Sequence, residues 1–458
     1  MVALSTERGR YVYLETFGCQ MNENDTGRMM GLLKDMAFKT TERPDAADLI
    51  IINTCSVRDK AEHKLYSILG RFKELKEERP GLIIAVAGCV AQQLGAALFK
   101  RAPYIDLVIG TQNVHRLKEI LERPLPLRRV AVTEFRGSID ANEYAHNDAT
   151  DGGKAFVAIM RGCDNFCTYC IVPYTRGAEA SRKSSDILRE VSALVNDGVK
   201  EVTLVGQNVN SYGRGSGADV SFPELLRMTA ATDGIRRVRF MTSHPKDISG
   251  ELIDVFQQTP VLCRHLHLPV QSGSDSILKM MRRGYTAAQY LEKTRRIRQR
   301  YPDISLTSDI IVGFPGETDA DFEATMLLIN EARFDNVFAF IYSPRPGTEA
   351  AGYAGQVPAE IKAFRLQTIL ETQREITLAG NRALEGSIQE VMVEDRGARP
   401  GAERKISGRT SCGRIVHFHC EEGLSTGSEV RVIITAAHQN SLRGEFIAHA
   451  AQGQATVA

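Results

Sequence analysis

Three apolar runs near the start of the chain, "RYVYLETFGC", "ADLIIINTC" and "GLIIAVAGC", each close on a cysteine, and each leads into a helix-like stretch. Short apolar runs of this kind read as strands buried on both faces. Segments such as "NDTGRMMGLLKDMAF" and "KAEHKLYSILGRFKELKEE" have the spacing of the helices that cover them. Strand–helix alternation forces a parallel sheet, because parallel neighbours need a crossover. A fourth run, "IDLVIGT", continues the pattern. Cys19, Cys55 and Cys89 therefore share one topological position, the carboxyl end of a strand, and a parallel sheet carries all three to one edge. Helix N-termini there favour thiolate and an anionic ligand.

The polar, aperiodic stretch from Arg136 to Lys154 reads as a linker. Beyond it six strand candidates alternate with helical segments: "AFVAIM", "EVTLVG", "RVRFMT", "HLHLPV", "SLTSDIIVG" and "NVFAFIYS". Six parallel strands with crossover helices form an open doubly wound sheet or a partial barrel. After a long helix near "AEIKAFRLQTILETQREITLAGNRAL" the chain turns to short strands punctuated by Gly, Ser and Asn, a small all-β barrel. The expected fold class is α/β, with a parallel N-terminal domain (10–126), a linker (127–153), a core (154–380) and a small β-barrel (383–448).

The chain has 458 residues, 43% of them hydrophobic, and a net charge of +1. Neither sign of charge selects a partner, although a basic patch can hide in a neutral total. The N-terminus lacks a signal-peptide core, and the longest apolar run is about half a membrane span. A cytoplasmic protein without a membrane contact is expected. Nine cysteines in a reducing compartment do not read as a disulfide scaffold. Cys263, Cys412 and Cys420 read as ordinary small buried residues.

The stretch "RGCDNFCTYCIVPYTRG" sets Cys163, Cys167 and Cys170 within eight positions. Structural zinc takes four ligands, commonly from paired knuckles. Here the spacing is C-x3-C-x2-C, with no Cys or His nearby to complete the set. Four-iron clusters are held by thiolates, normally four. Three cysteines leave one iron for a non-protein ligand. The motif follows a strand, so it sits at the carboxyl edge of the sheet, where α/β folds bind ligands.

C-x3-C-x2-C after the first core strand, with Tyr169 just before the third cysteine, resembles the radical S-adenosylmethionine superfamily. The resemblance narrows to its methylthiotransferases through "YLETFGCQMNENDT", "INTCSVRDKAE", "AGCVAQQ", "VTLVGQNVNSYG", "HLPVQSGSD", "DIIVGFPGET" and "FIYSPRPGTEAA". The C-terminal "KISGRTSCGRIVHFH" and "SLRGEFI" are similar to that family's TRAM domain, a small barrel that holds RNA. The resemblance implies two 4Fe–4S clusters, one on Cys163, Cys167 and Cys170 that chelates S-adenosylmethionine, the other on Cys19, Cys55 and Cys89. It implies cofactor contacts from Tyr169, Gln207, Asn208, Ser243, Gln271 and Asp309, and RNA contacts from Arg409, Arg414 and Arg443. Between Arg382 and Glu445 nine basic residues meet nine acidic ones, so RNA binding there rests on the resemblance alone. The basic segment carrying Arg282, Arg283, Lys293, Arg295, Arg296, Arg298 and Arg300 is either a solvated helix face or a phosphate-contacting one. "GFPGET" lacks the ending of a nucleotide-triphosphate loop.

The implied reaction adds a 2-methylthio group to N(6)-dimethylallyladenosine at tRNA position 37, in the anticodon stem-loop. Reductive cleavage of S-adenosylmethionine gives a 5′-deoxyadenosyl radical that takes hydrogen from carbon 2 of the adenine. The second cluster holds the sulfur on its open iron, a second S-adenosylmethionine methylates that sulfur, and the methylthio group joins the adenine radical. The implied partners are an electron donor of flavodoxin or ferredoxin type and a sulfur or cluster donor, acting on a monomer. Two alternatives stand beside this reading: a sister methylthiotransferase acting on threonylcarbamoyl adenosine or a ribosomal-protein aspartate, and a non-catalytic RNA-binding protein with two structural zinc sites.

Overall fold

A computed structural model describes residues 9–56, 61–124, 129–137, 139, 141–144, 150–151, 153–214, 218–395, 405–420 and 423–450. The N-terminal strands are β1 (Arg10–Thr16), β2 (Phe38–Thr40), β3 (Leu49–Thr54), β4 (Ile83–Gly88), β5 (Leu107–Ile109) and β6 (Val130–Val132). They form one parallel sheet in the order β2-β1-β3-β4-β5-β6. The crossovers carry α1 (Gln20–Asp35), α2 (Ala61–Glu78), α3 (Cys89–Leu94), α4 (Ala97–Arg101) and α5 (Leu117–Leu121). Ile50, Ile52, Ile84 and Val86 bury one face, and Leu49, Ile51, Ala85 and Ala87 the other. That two-sided burial is why these strands read as continuous apolar runs.

The linker expectation needs correction. β6 pairs with β5, so the sheet continues past residue 126. Short β7 (Thr150–Asp151) runs antiparallel to β8 (Lys154–Ala158). Between β6 and β7, Glu143 and Tyr144 are buried. The segment is polar and aperiodic because its contacts lie far away in sequence.

The core contains all six expected strands: β8 with its short continuation β9 (Met160–Arg161), then, after α6 (Val172–Arg176), β10 (Ala180–Ser181) and α7 (Ser184–Asn196), β11 (Glu201–Val205). α8 (Phe222–Ala230) leads to β12 (Arg237–Phe240), and α9 (Gly250–Gln258) to β13 (His265–His267). α10 (Asp275–Met280) and α11 (Ala287–Arg300) precede β14 (Ser305–Val312), and α12 (Asp319–Ala332) precedes β15 (Asn336–Ile341). The parallel ladders β8-β11-β12 and β13-β14-β15 meet through a bridge between Val238 and Leu262. Among the described residues no pairing joins β15 to β8, so this is a partial barrel with an open seam. On the β8 side of the seam, α1 lies against the strand, with Asn24 Nδ2 donating to the Phe156 carbonyl at 2.9 Å.

α13 (Ala359–Arg382) leads to β16 (Ile388–Asp395), β17 (Lys405–Thr410), β18 (Ile415–His419), β19 (Glu429–Ala437) and β20 (Leu442–His449). These close a barrel in the order β16-β17-β18-β20-β19. It caps the amino-terminal ends of the core strands. Arg237 donates to the Arg409 carbonyl at 2.6 Å and pairs with Glu429 at 2.9 Å. Arg239 reaches the Thr410 and Ser411 carbonyls, both at 2.8 Å. Among the described residues no helix is long and apolar enough to cross a membrane.

Candidate active site

β1, β3 and β4 are neighbours in the sheet, and their carboxyl ends place Cys19, Cys55 and Cys89 together. Cys19 is the N-cap of α1, and Cys89 opens α3. Two buried amides brace this edge. Asn22 Nδ2 donates to Asn53 Oδ1 and to the Thr54 carbonyl, each at 3.1 Å, and Asn53 Nδ2 returns to the Asn22 carbonyl at 2.8 Å. Gly88 has φ +90°, and a Cβ there would stand 2.4 Å from Asn53 Oδ1, so the brace and the glycine require each other. A hydrogen bond from Cys55 lowers the Cys19 pKa to about 6 against the cost of burial, helped by the Arg176 charge and the Asn22 and Met21 amides. Burial raises Cys89, with Arg176 opposing it.

Arg176 belongs to the other cysteine set. It ends α6, six residues after Cys170, and its guanidinium pairs with Asp25 of α1 at 2.8 Å, both side chains buried. Thr111 Oγ1 and Gln112 Nε2 hold the Thr175 and Arg176 carbonyls at 2.7 and 2.8 Å. Arg176 thus ties the segment that follows the core-loop cysteines to the sheet edge that carries Cys19 and Cys89. Nothing local in the sequence marks Arg176 or Asp25 for this work.

In the core loop Cys163 and Cys167 are buried and Cys170 half-buried. Burial raises Cys163 to about 11 and Cys170 to about 12. Arg283 Nη1 lies 3.4 Å from Cys167 Sγ, and Asn165 Nδ2 lies 3.3 Å from Cys163 Sγ. Arg283 is therefore not a phosphate contact but a buried donor beside the loop. Gly162, at φ +78°, has no room for a side chain: a Cβ would sit 1.9 Å from the Ala178 carbonyl oxygen. Gly162→Ala is expected to displace this loop and lose about half the bound iron after anaerobic reconstitution, read by iron and sulfide analysis. Full iron content in that variant would show that the loop tolerates the shift.

The expected cofactor residues divide. Gln207 Oε1 accepts from the Gly162 amide at 2.6 Å and so fixes the cysteine loop. Asn208 donates to Asp247 at 2.9 Å, but its buried Oδ1, like Ser243 Oγ and His244 Nε2, has no partner among the described residues. Burial holds His244 neutral, its pKa lowered to about 2. These orphaned atoms lie at the carboxyl ends of β11 and β12, the edge that also carries the cysteine loop, and they fit a polar cofactor there. Gln271 has φ +75° and exchanges backbone bonds with Asp309 and Ile311. Tyr169 packs with Ile277, Met281 and Phe314 behind the loop. The Asp309 carboxylate turns inward, 3.4 Å from His267 Nε2. In "GFPGET", Glu317 accepts from the Gly313 amide at 2.6 Å and pairs with Arg365 at 2.7 Å. That motif ties its own turn.

Among the described residues no group of three His, Cys, Asp or Glu meets the geometry of a single metal ion. Each constellation is a set of cysteines alone, the donor set of iron–sulfur clusters.

The RNA expectations change more. Arg414 pairs with Asp335 and donates to Asn381 Oδ1 at 3.0 Å, joining barrel to core. Arg409 is taken by Glu394 and the Gly413 carbonyl. Both were expected to meet RNA; instead their guanidiniums are spent on docking and on the barrel itself. Arg443 stays exposed on β20. In the basic segment Arg282 pairs with Glu349, Arg295 and Arg296 with Glu292, and Arg300 with Asp254. These exposed guanidiniums are paired with acids on the same helix and on neighbouring elements.

Residues 11–110 match the family described as Uncharacterized protein family UPF0004, 157–329 the Radical SAM superfamily, and 382–447 the TRAM domain. Among solved structures, the radical S-adenosylmethionine methyltransferase TsrM from Kitasatospora setae superposes with a TM-score of 0.53 at 16% identity, covering 75% of each chain. The likeness is one of fold. Among sequences, the tRNA-2-methylthio-N(6)-dimethylallyladenosine synthase of Geotalea uraniireducens is 49% identical over 440 residues, 96% of this chain and 99% of that one. The synthase of Syntrophobacter fumaroxidans is 50% identical over 96% of each chain. Identity of this order along nearly the whole length, across both cysteine sets and the β-barrel, places the chain in the tRNA-2-methylthio-N(6)-dimethylallyladenosine synthase family of radical S-adenosylmethionine methylthiotransferases.

Proposed function

We propose that this protein adds a methylthio group to carbon 2 of N(6)-dimethylallyladenosine at position 37 of tRNA, using S-adenosylmethionine. The observation that carries the reading is the second three-cysteine set, locked against the first through Arg176 and Asp25. A radical enzyme that only abstracts hydrogen needs one such set. The zinc alternative calls for a fourth protein ligand at each three-cysteine set, and the sister substrates gain nothing from the two relatives described above, both named for the dimethylallyl substrate.

When bound, a cluster on Cys163, Cys167 and Cys170 supplies the electron that cleaves S-adenosylmethionine, and one on Cys19, Cys55 and Cys89 carries the sulfur to be transferred. The protein's own work is placement. Arg283 and Asn165 donate toward thiolate sulfur, and charge-assisted donors of this kind stabilise the negative charge of such a site. Asn208 Oδ1 and Ser243 Oγ offer polar contacts to the cofactor, with Tyr169 and Gln271 shaping its edge. Arg176 and Asp25 hold the sulfur-carrying edge over the radical-generating one. A low-potential flavodoxin or ferredoxin as reductant and a separate sulfur donor follow from the electron and the atom consumed. The working unit in this reading is a monomer.

The test is a matched pair of anticodon stem-loops, one bearing the dimethylallyl group and one plain adenosine, incubated anaerobically with the reconstituted enzyme. Mass spectrometry should find the methylthio nucleoside only from the first. Equal turnover of both would remove the substrate assignment. The β-barrel's share is tested by Arg443→Ala, expected to weaken stem-loop binding a few-fold and to flatten its salt dependence. Truncating the barrel is a poor test, since it would strip Arg237 and Arg239 of their carbonyl partners.

A further inference from the structure

β15 borders the open seam, and its inner face carries two aromatic rings that the chemistry above leaves unused. Phe338 and Phe340 are each 48% exposed. Val337 and Ala339 pack into the core beneath the helices, so alternation along the strand turns both phenylalanines to the inside of the partial barrel. Their neighbours agree. Asp309 stands opposite Phe338 and Ile311 opposite Phe340, and Ile311 shares a cluster with Tyr169 of the cysteine loop. The Phe338 ring meets the His267 ring edge-on, centroids 5.9 Å apart. His267 is held from behind, its Nδ1 2.9 Å from Thr307 Oγ1, and so presents Nε2 to the Asp309 carboxylate. The inner wall of the partial barrel thus offers two apolar rings and one oriented carboxylate on the strands next to the Tyr169 cluster.

We propose that Phe338 and Phe340, with the Asp309–His267 pair, form the subsite that reads an N(6)-alkylated adenine. The inference rests on the tRNA reading above and deepens it. An N(6)-alkyl adenine presents one N–H donor, a flat purine and an apolar branch. The carboxylate accepts from N(6)–H, and the rings cover the purine face and the branch, area that otherwise stays in water. A base enters such a pocket only after leaving its stack, and aromatic contacts offset that loss.

The experiment measures binding of the two stem-loops, with and without the dimethylallyl group, by fluorescence anisotropy. It uses the full-length, iron-loaded protein, its Phe338→Ala and Phe340→Ala variants, and Phe338→Leu as the conservative change. S-adenosylmethionine cleavage without RNA is followed alongside. The unaltered protein should prefer the modified loop by on the order of ten- to a hundred-fold, the scale of burying a five-carbon branch. Each alanine variant should shrink that preference to about three-fold, leaving RNA-free cleavage unchanged, and leucine should keep part of it. Asp309→Asn should weaken both loops alike, because both adenines carry an N(6)–H. An unchanged preference in the alanine variants overturns the subsite. Loss of RNA-free cleavage assigns the rings to the cofactor and overturns it too. Equal binding of the two loops by the unaltered protein overturns the substrate reading itself, and the subsite with it.

Discussion

Cys167→Ala is expected to abolish S-adenosylmethionine cleavage and methylthio product together, whereas Cys55→Ala keeps cleavage and loses only the product. The difference comes from position. Cys167 is buried in the core loop beside Arg283, and without it that loop offers two thiolates and no defined site for the cofactor. Cys55 ends β3 in the other domain, next to Cys19. Its loss damages the edge that carries sulfur and leaves the core loop's own contacts in place. Iron analysis gives an independent readout, each variant falling toward half of the unaltered content. Equal loss of cleavage in both variants would refute this division of labour.

Glu143→Ala should be strongly destabilising. The Glu143 carboxylate pairs with Arg161 at 2.6 Å and with Arg136 at 3.4 Å, while its carbonyl accepts from Arg28 Nε of α1 at 2.9 Å. Arg161 immediately precedes the Gly162 turn into Cys163, so this short turn links α1 to the radical-generating loop. The guanidiniums of Arg28 and Arg182 stack on the adjacent Tyr144 ring, 4.1 and 4.4 Å from its centroid. Removing the carboxylate takes one close counter-charge from the buried Arg161 guanidinium, a loss of about 3–5 kcal/mol. The thermal midpoint of the iron-loaded protein should fall by about 3–5 °C. Cleavage of S-adenosylmethionine per methylthio group formed should rise as the two sets lose their alignment. A midpoint within about 1 °C of the unaltered protein would show the pair to be dispensable, as exposed pairs often are.

Apolar periodicity alone placed Cys19, Cys55 and Cys89 at one sheet edge, because strands buried on both faces advertise themselves and parallel topology then leaves the cysteines nowhere else to go. C-x3-C-x2-C announced the second set for a related reason: its ligands are close in sequence, and spacing is itself geometry. Contacts between remote residues left no such trace. Asp25 with Arg176, Arg28 with Glu143 and Arg283 with Cys167 join positions about 115 to 150 apart, and buried ion pairs have no period to detect. The same gap explains why 127–153 read as a linker and why Arg409 and Arg414 read as RNA contacts. An arginine's sequence neighbours do not say whether its charge faces solvent or another domain, and here Asp335 and Glu394 decided it. Phe338 and Phe340 show the limit most plainly. In the sequence they alternate like any buried strand, and only the open seam beside β15 leaves their rings uncovered. Local pattern determined which elements form and where the thiolates gather; the open seam of the partial barrel and docking of its two neighbours decided which charges are spent and which surface remains for a substrate.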